Sequence, residues 1–238
     1  MKLLIISDIH CNIFALNAIW EKESDSDVVC CAGDIVDISP NAKEVINWLK
    51  DHKAITILGN HDSKLVKYHN AIISGEKQQQ LKDHSWLSYN YSTLSKDEIH
   101  FLETRPITTE FVVDSYLYGM KHAYKRYHTI QDNEKYKNYS LEKFGRHVDR
   151  MIFGHTHYQG VGELNDGLWI NPGSVSYNRN EYLNSLNAFY AVVEDGKIFL
   201  KNTKYDTKAF FSEMESLSGT MGRRALRRMQ KFFLQKNK

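Results

Sequence analysis

Four short clusters in this sequence place metal-ligand residue types just after apolar runs. Asp8 and His10 follow Lys2 to Ser7, Asp34 follows Ala32-Gly33, Asn60 and His61 follow Leu58-Gly59, and His155 and His157 follow Met151 to Gly154. Carboxylate, carboxamide and imidazole are the nitrogen and oxygen donors that divalent transition metals accept. Two residues apart in an extended chain, Asp8 and His10 would project to the same side. An Asp-x-His pair taken alone is weak, because Asp8 could equally cap a helix starting near Ile13. His155 and His157 taken alone could be exposed turn residues. The recurrence carries the argument: carboxylates gathered without compensation repel one another, whereas cations keep them ionised.

The elements between the clusters explain how they meet. Lys2 to Ser7, Asp27 to Ala32 and Ala54 to Leu58 are short apolar runs with the length of buried parallel strands. Ile13 to Lys22 and Ala42 to Lys50 carry apolar residues at helical spacing. The opening third therefore reads β-α-β-α-β, the alternation that builds a largely parallel sheet with ligand sites at the carboxyl ends of its strands. Residues 63 to 105 read as mostly helical and polar, a helical cap, with Ser95 and Glu98 as a capping box. Further strands are expected at Thr109 to Val113, Tyr116 to Met120, Arg150 to Phe153, Leu168 to Ile170, Ala188 to Val193 and Ile198 to Asn202. No repeat or Pro/Gly-rich linker divides the 238 residues, so one domain over 1–238 is expected.

Composition narrows the class. With 42% hydrophobic and 25% charged residues, the chain reads as an ordinary water-soluble protein. No apolar run approaches the roughly 20 residues of a membrane span, and Met1 to Ile6 is too short for a signal-peptide core. Cys11, Cys30 and Cys31 suggest no disulfide framework, which favours a cytoplasmic location. The net charge of +2 does not demand a polyanionic partner. Charge does concentrate locally: Lys121, Tyr124, Lys125, Arg126, Tyr127 and His128 form a basic, aromatic stretch beside His122 that could grip phosphates and stack a base. It could equally be a solvated loop. A basic amphipathic helix is expected at about 221–236, with Leu226, Met229, Phe232 and Phe233 on its apolar stripe; it would pack on the domain or on a second copy in a homo-oligomer. Binding of nucleic acid by that helix is possible in principle and not favoured.

Taken together, Asp8-x-His10, Gly33-Asp34, Gly59-Asn60-His61-Asp62 and Gly154-His155-Thr156-His157 resemble the calcineurin-like metallophosphoesterases, in that family's order. The resemblance runs from Met1 to about Tyr205, and Asn171-Pro172-Gly173-Ser174 looks like the smaller bacterial and archaeal phosphodiesterase branch. It implies an α/β fold of two packed, largely parallel or mixed sheets flanked by helices, a four-layer α-β-β-α sandwich. It implies two divalent cations (manganese, iron, zinc or cobalt). Asp8, His10, Asp34 and His157 would hold one; Asn60, His122 and His155 would complete the other, with Asp34 between them. His122 departs from the family pattern, being followed by Ala123 where relatives have glycine. His61 is the implied proton donor to the leaving group, with Asp37 or Asp62 as the carboxylate that orients it. Asn12, Lys125 and Arg126 are expected substrate contacts.

The implied activity is hydrolysis of a phosphodiester or phosphoanhydride in a small, phosphorylated, nucleotide-like substrate, dinucleoside polyphosphates included. The alternatives are a phosphomonoesterase or nuclease of the same family, or a nucleic-acid-binding or regulatory protein that keeps the fold.

Overall fold

The computed structural model describes residues 1–76, 85–125, 129–177 and 186–217. The chain begins with β1 (Lys2–Ile6), α1 (Ile13–Glu23), β2 (Val28–Cys31), α2 (Ala42–Asp51) and β3 (Ile55–Thr56). The expected β-α-β-α-β order is present, though β3 retains only two paired residues. Three helices follow: α3 (Asn60–Ile73), α4 (Trp86–Thr93) and α5 (Lys96–Glu103). Then come β4 (Thr108–Val113), β5 (Tyr116–Lys121), α6 (Asn133–Phe144), β6 (Arg150–Ile152), β7 (Gln159–Leu164), β8 (Gly167–Pro172), β9 (Ala188–Glu194), β10 (Lys197–Thr203) and α7 (Thr207–Ser216). The basic segment 221–236 lies outside the described residues.

Two five-stranded mixed sheets result. The first has the order β10-β9-β1-β2-β3, with β1, β2 and β3 parallel and β9 antiparallel to β1. The second has the order β4-β5-β6-β8-β7, with β5, β6 and β8 parallel and antiparallel strands on both sides. β1 is buried on both faces, and the pleat sends its side chains alternately to one and the other. Leu3 and Ile5 face the second sheet and pack with Met120, Ile152 and Ile170. Leu4 and Ile6 face the other way, onto α1 and α2 through Leu16, Ile19, Val45 and Leu49. Tyr136 and Tyr139 of α6 cover the outer face of the second sheet with Met151 and Phe153. The layers are thus helix, sheet, sheet, helix.

Polar side chains set the helix boundaries. Asn12 Oδ1 accepts from Ala15 N and starts α1; Ser95 and Glu98 form the capping box expected before α5. The segment expected as a cap packs on the helix layer of the first sheet, where Leu65, Leu94, Ile99 and Leu102 join the α1/α2 core.

Candidate metal centre

The expected ligands leave the sheets in turns, not in extended chain. Asp8, His10, Asp34, His155 and His157 all have positive φ, between 47° and 66°. That left-handed region is uncommon for residues with a Cβ. The common orientation of Asp8 and His10 therefore comes from two left-handed residues and not from strand alternation. The turns after β1 and β2 are laced together: Asp8 N donates to Gly33 O (2.9 Å), His10 N to Asp34 O (3.0 Å) and Cys11 N to Ile35 O (2.9 Å). Parallel pairing continues past the strand ends and brings Asp34 alongside His10.

Two glycines permit the close approach. A Cβ on Gly59 would collide with the Asp34 carboxylate, and one on Gly154 would collide with Ser7 Oγ and Asp8 Oδ2. His122, after β5, has Ala123 next to it at no cost, because neither residue has positive φ.

Asp8, His10 and His157 form one group of mutually close donor atoms; Asp34, His122 and His155 form another; Asp34 also meets His10 and His61. Asp8 Oδ1 lies 3.1 Å from His157 Nε2, which is 3.4 Å from His10 Nε2. His122 Nε2 lies 3.2 Å from both Asp34 Oδ2 and Asn60 Oδ1. All the expected metal residues, Asp8, His10, Asp34, Asn60, His122, His155 and His157, are therefore brought to one place.

The imidazoles have their other nitrogens committed. His157 Nδ1 meets the Tyr177 carbonyl at 2.9 Å and His122 Nδ1 the Ala32 carbonyl at 2.7 Å; His10 Nδ1 faces the Val36 carbonyl at 3.4 Å. A carbonyl can only accept, so Nδ1 carries the proton and the neutral ring turns its Nε2 lone pair inward. Those lone pairs then face carboxylate and carboxamide oxygens, which are themselves acceptors. Asp8 Oδ1 is buried with no hydrogen bond. Convergent acceptors need positive charge between them, and the donor set fits divalent metals of intermediate softness.

Without a metal, protons supply that charge. Burial opposes a charged His122, but the Asp34 carboxylate outweighs it and raises its pKa to about 9. Burial dominates at His10, lowering it to about 3 and keeping the ring neutral. Asp34 is held far below the ordinary carboxylate range: burial works against ionisation and the surrounding histidines, His122 first, overcome it.

His61 is set differently. Its Nδ1 binds Asp37 Oδ2 at 2.6 Å, leaving Nε2 pointed toward Asp34 Oδ2 at 4.0 Å. Burial lowers its pKa, but the Asp37 contact and the Asp34 charge raise it further, for a net rise. Asp62, the competing partner, is engaged elsewhere: Oδ1 accepts from Ile35 N and Val36 N, and Oδ2 from Gly59 N. Burial and the Asp34 charge push Asp62 up to about 6, against those donors.

Asn12 is fully buried as the α1 cap, a placement that gives it no open face toward a substrate. Lys125 lies over the Tyr124 ring at 5.3 Å and, with Gly154, Thr156 and Asn171, lines a small cavity beside the His155 turn. Arg126 lies outside the described residues. Cys11 is buried, its thiol pKa pushed well up by burial, and it packs as an inert side chain.

Several supports escaped sequence reasoning. Ser7 Oγ and His155 N donate to Asp8 Oδ2 at 2.7 and 2.9 Å. Asn171 Nδ2 donates to Gly154 O and Thr156 Oγ1, bracing the histidine turn, and Ser174 Oγ donates to Asp8 O. The Tyr177 ring lies against those of His10 and His157, with centroids 5.6 and 4.3 Å away. Residues 171–174 gave a signal as a motif; carbonyl partners give none.

Residues 1–194 match the sequence profile of the calcineurin-like phosphoesterase superfamily domain, and the chain belongs to that family. An uncharacterized protein of Methanocaldococcus jannaschii is 23% identical over 229 residues, spanning 88% of this chain and 90% of that one. The crystal structure of a metallophosphoesterase from Sphaerobacter thermophilus superposes with a TM-score of 0.69 at 19% identity, covering 96% of this chain and 98% of that one. A proposed diadenosine tetraphosphatase superposes at 0.56 with 20% identity, over 85% and 94% of the two chains. The fold is that of the metallophosphoesterases, and the clustered histidines and aspartates could hold metal. Among the described residues no helix is long and apolar enough to cross a membrane.

Proposed function

We propose that this phosphoric ester hydrolase uses two divalent cations to cleave a phosphodiester or phosphoanhydride bond in a small nucleotide-like substrate. The observation that carries the reading is Asp34, whose carboxylate belongs to two donor groups at once, between His10 and His61 on one side and His122 and His155 on the other. Asp8, His10 and His157 would hold one cation, Asn60, His122 and His155 the other, and Asp34 both.

When bound, such cations supply Lewis-acid charge for phosphate oxygens and acidify a water toward neutral pH. The protein does the rest. The Nδ1 contacts to Tyr177 and Ala32 keep the ligand rings turned inward and exclude the other tautomer. His61 holds a proton at Nε2 and gives it to the departing oxygen, while Asp37 fixes the ring and stabilises its protonated form. The His61 side chain is 21% exposed, against 1% for His10 and His157, so an entering substrate can reach it, as it can the half-buried His155. Lys125 lines a small cavity beside the His155 turn, a position that supports a contact to a second phosphate and so a substrate longer than a single phosphate ester.

The test is phosphate release by metal-stripped protein reloaded separately with manganese, iron, zinc or cobalt. The panel holds bis-aryl diesters, aryl monoesters, cyclic nucleotides and dinucleoside polyphosphates, with Asp34→Asn as control. Turnover of diesters or polyphosphates that needs metal and disappears in the control is the expected result. Preference for monoesters would overturn the diester reading, and silence with every metal would overturn the enzymatic one.

A further inference from the structure

Asn90, on α4, is fully buried and lies 53 residues along the chain from Asp37, whose loop it touches. Its Oδ1 accepts from Asp37 N at 2.7 Å and from the Cys11 thiol at 3.5 Å; its Nδ2 donates to Ser39 O at 2.9 Å. One carboxamide thus grips both ends of the three-residue turn Asp37-Ile38-Ser39. That turn is strained: Asp37 and Ile38 both have φ of 75°, and a β-branched residue in that region is a true outlier. Such a conformation persists only where its surroundings over-determine it.

The strained turn aims a carboxylate. Asp37 Oδ1 accepts from Ile38 N at 2.8 Å within the turn, which leaves Oδ2 to meet His61 Nδ1 at 2.6 Å. His61 lies at the start of α3, and α3 is tied to α4 by the Tyr68 and Tyr91 rings, 5.2 Å apart and perpendicular, and by His69 Nδ1 with Tyr91 Oη at 3.0 Å. The same helix pair therefore carries the imidazole at one end and the clamp on its carboxylate at the other.

We infer that Asn90 is a positioning residue: by holding the Asp37-Ile38-Ser39 turn it orients Asp37, and through Asp37 the His61 imidazole that delivers the proton. The inference rests on the proposed role of His61, but its geometric half stands without it. A buried asparagine that merely filled its donors and acceptors could satisfy them on any loop. Here both groups are spent on a turn with two consecutive left-handed residues, one of them β-branched.

Two readouts test this on the full-length, zinc-loaded chain. The first is the His61 Nδ1 proton in NMR spectra, assigned by its loss in His61→Gln. In Asn90→Ala it should exchange at least tenfold faster or vanish, while the other amide signals keep their positions. An unchanged Nδ1 proton in Asn90→Ala overturns the inference. If that variant does not fold, Asn90→Gln, with the carboxamide displaced by one methylene, is read by the same criterion. The second readout is the ratio of turnover on a nitrophenyl diester, whose leaving group needs no proton, to that on a phenyl diester. His61→Ala and Asn90→Ala should both raise this ratio, by about tenfold, and the double variant no further. Equal losses on the two esters in Asn90→Ala would mark a structural role and overturn the inference. No hydrolysis by the wild type would remove the proposed function, leaving the Nδ1 proton to decide whether Asn90 orients His61.

Discussion

Asp62 offers the sharpest test of how the centre is built. It has no exposed surface, and its carboxylate accepts three backbone N–H groups, from Ile35, Val36 and Gly59, at 2.8, 3.0 and 2.8 Å. These bonds join the turn after β2 to the start of α3, and so fix Asp34 relative to Asn60. A hydrogen bond to a charged group contributes about 1.5–3 kcal/mol. Asp62→Asn can keep Oδ1 and its two donors but must turn an NH2 toward Gly59 N, so it should cost about 2 kcal/mol or somewhat more. Asp62→Ala leaves all three donors buried and unpaired, and should cost about 4 kcal/mol or more. The Asp34 carboxylate repels Asp62 in the metal-free chain. Both penalties should therefore be smaller after chelation than with manganese bound, where positive charge beside Asp34 removes the repulsion being relieved. Urea denaturation of the chelated and loaded forms measures all four differences. A cost below about 1 kcal/mol for Asp62→Ala in both states would refute the claim that this carboxylate staples the two turns together.

Three further outcomes are expected. His61→Ala should lower turnover by about 10²-fold or more with metal content unchanged, and Asp37→Asn should follow it in the same direction; near-normal turnover in His61→Ala would reject it as the acid. Gly154→Ala should weaken metal affinity by roughly tenfold or more in calorimetric titration, because the added methyl strikes the Ser7 hydroxyl that braces Asp8; wild-type affinity would deny that contact its role. Glu23 is buried; burial opposes its charge, but hydrogen bonds from Lys201, Lys2 and Tyr190 outweigh that and hold its pKa below the ordinary value. Its stabilisation is therefore complete above the unfolded pKa of about 4.3 and is lost as pH falls through the lower folded value. Glu23→Gln should lower Tm at pH 6 and lose less than the wild type between pH 5 and 3; parallel curves would exclude the linkage.

The periodicities that announced β1, β2, α1 and α2 come from side chains facing a core on known sides, and those elements stand where they were expected. β7 escaped because Gln159-Gly160-Val161-Gly162 lacks the β-branched alternation of a strand; Gly162 is there for Trp169, whose ring occupies the space a Cβ would need. α6 escaped because its buried face is three residues, Tyr136, Tyr139 and Ser140, on an otherwise polar helix. The ligand types were legible one by one. The choice between Asp37 and Asp62 as partner of His61 was not, since both sit within reach in sequence and only the turn geometry separates a carboxylate that meets an imidazole from one that meets three backbone amides.

The backbone of the site was also hidden, and its cost explains how the centre is held. Five of the proposed ligand residues lie in the left-handed region, which at about 1–2 kcal/mol each together approaches the whole stability of an ordinary domain. No single strand end could sustain that. The strain is shared because each turn is fastened to another: Asp8 N to Gly33 O, His10 N to Asp34 O, Gly154 N to His122 O, Val175 N to Ser7 O, and Ser176 N to Asp8 O. Every fastening joins the loop after one strand to the loop after another, so a turn cannot relax toward right-handed geometry without breaking bonds in a neighbour that is itself constrained. The two sheets meet at this seam, for Gly33 and Asp34 follow β2 of the first while His122 and Gly154 follow β5 and β6 of the second. The proposed ligands converge because the strand ends of two packed sheets satisfy their backbone groups on one another at this seam.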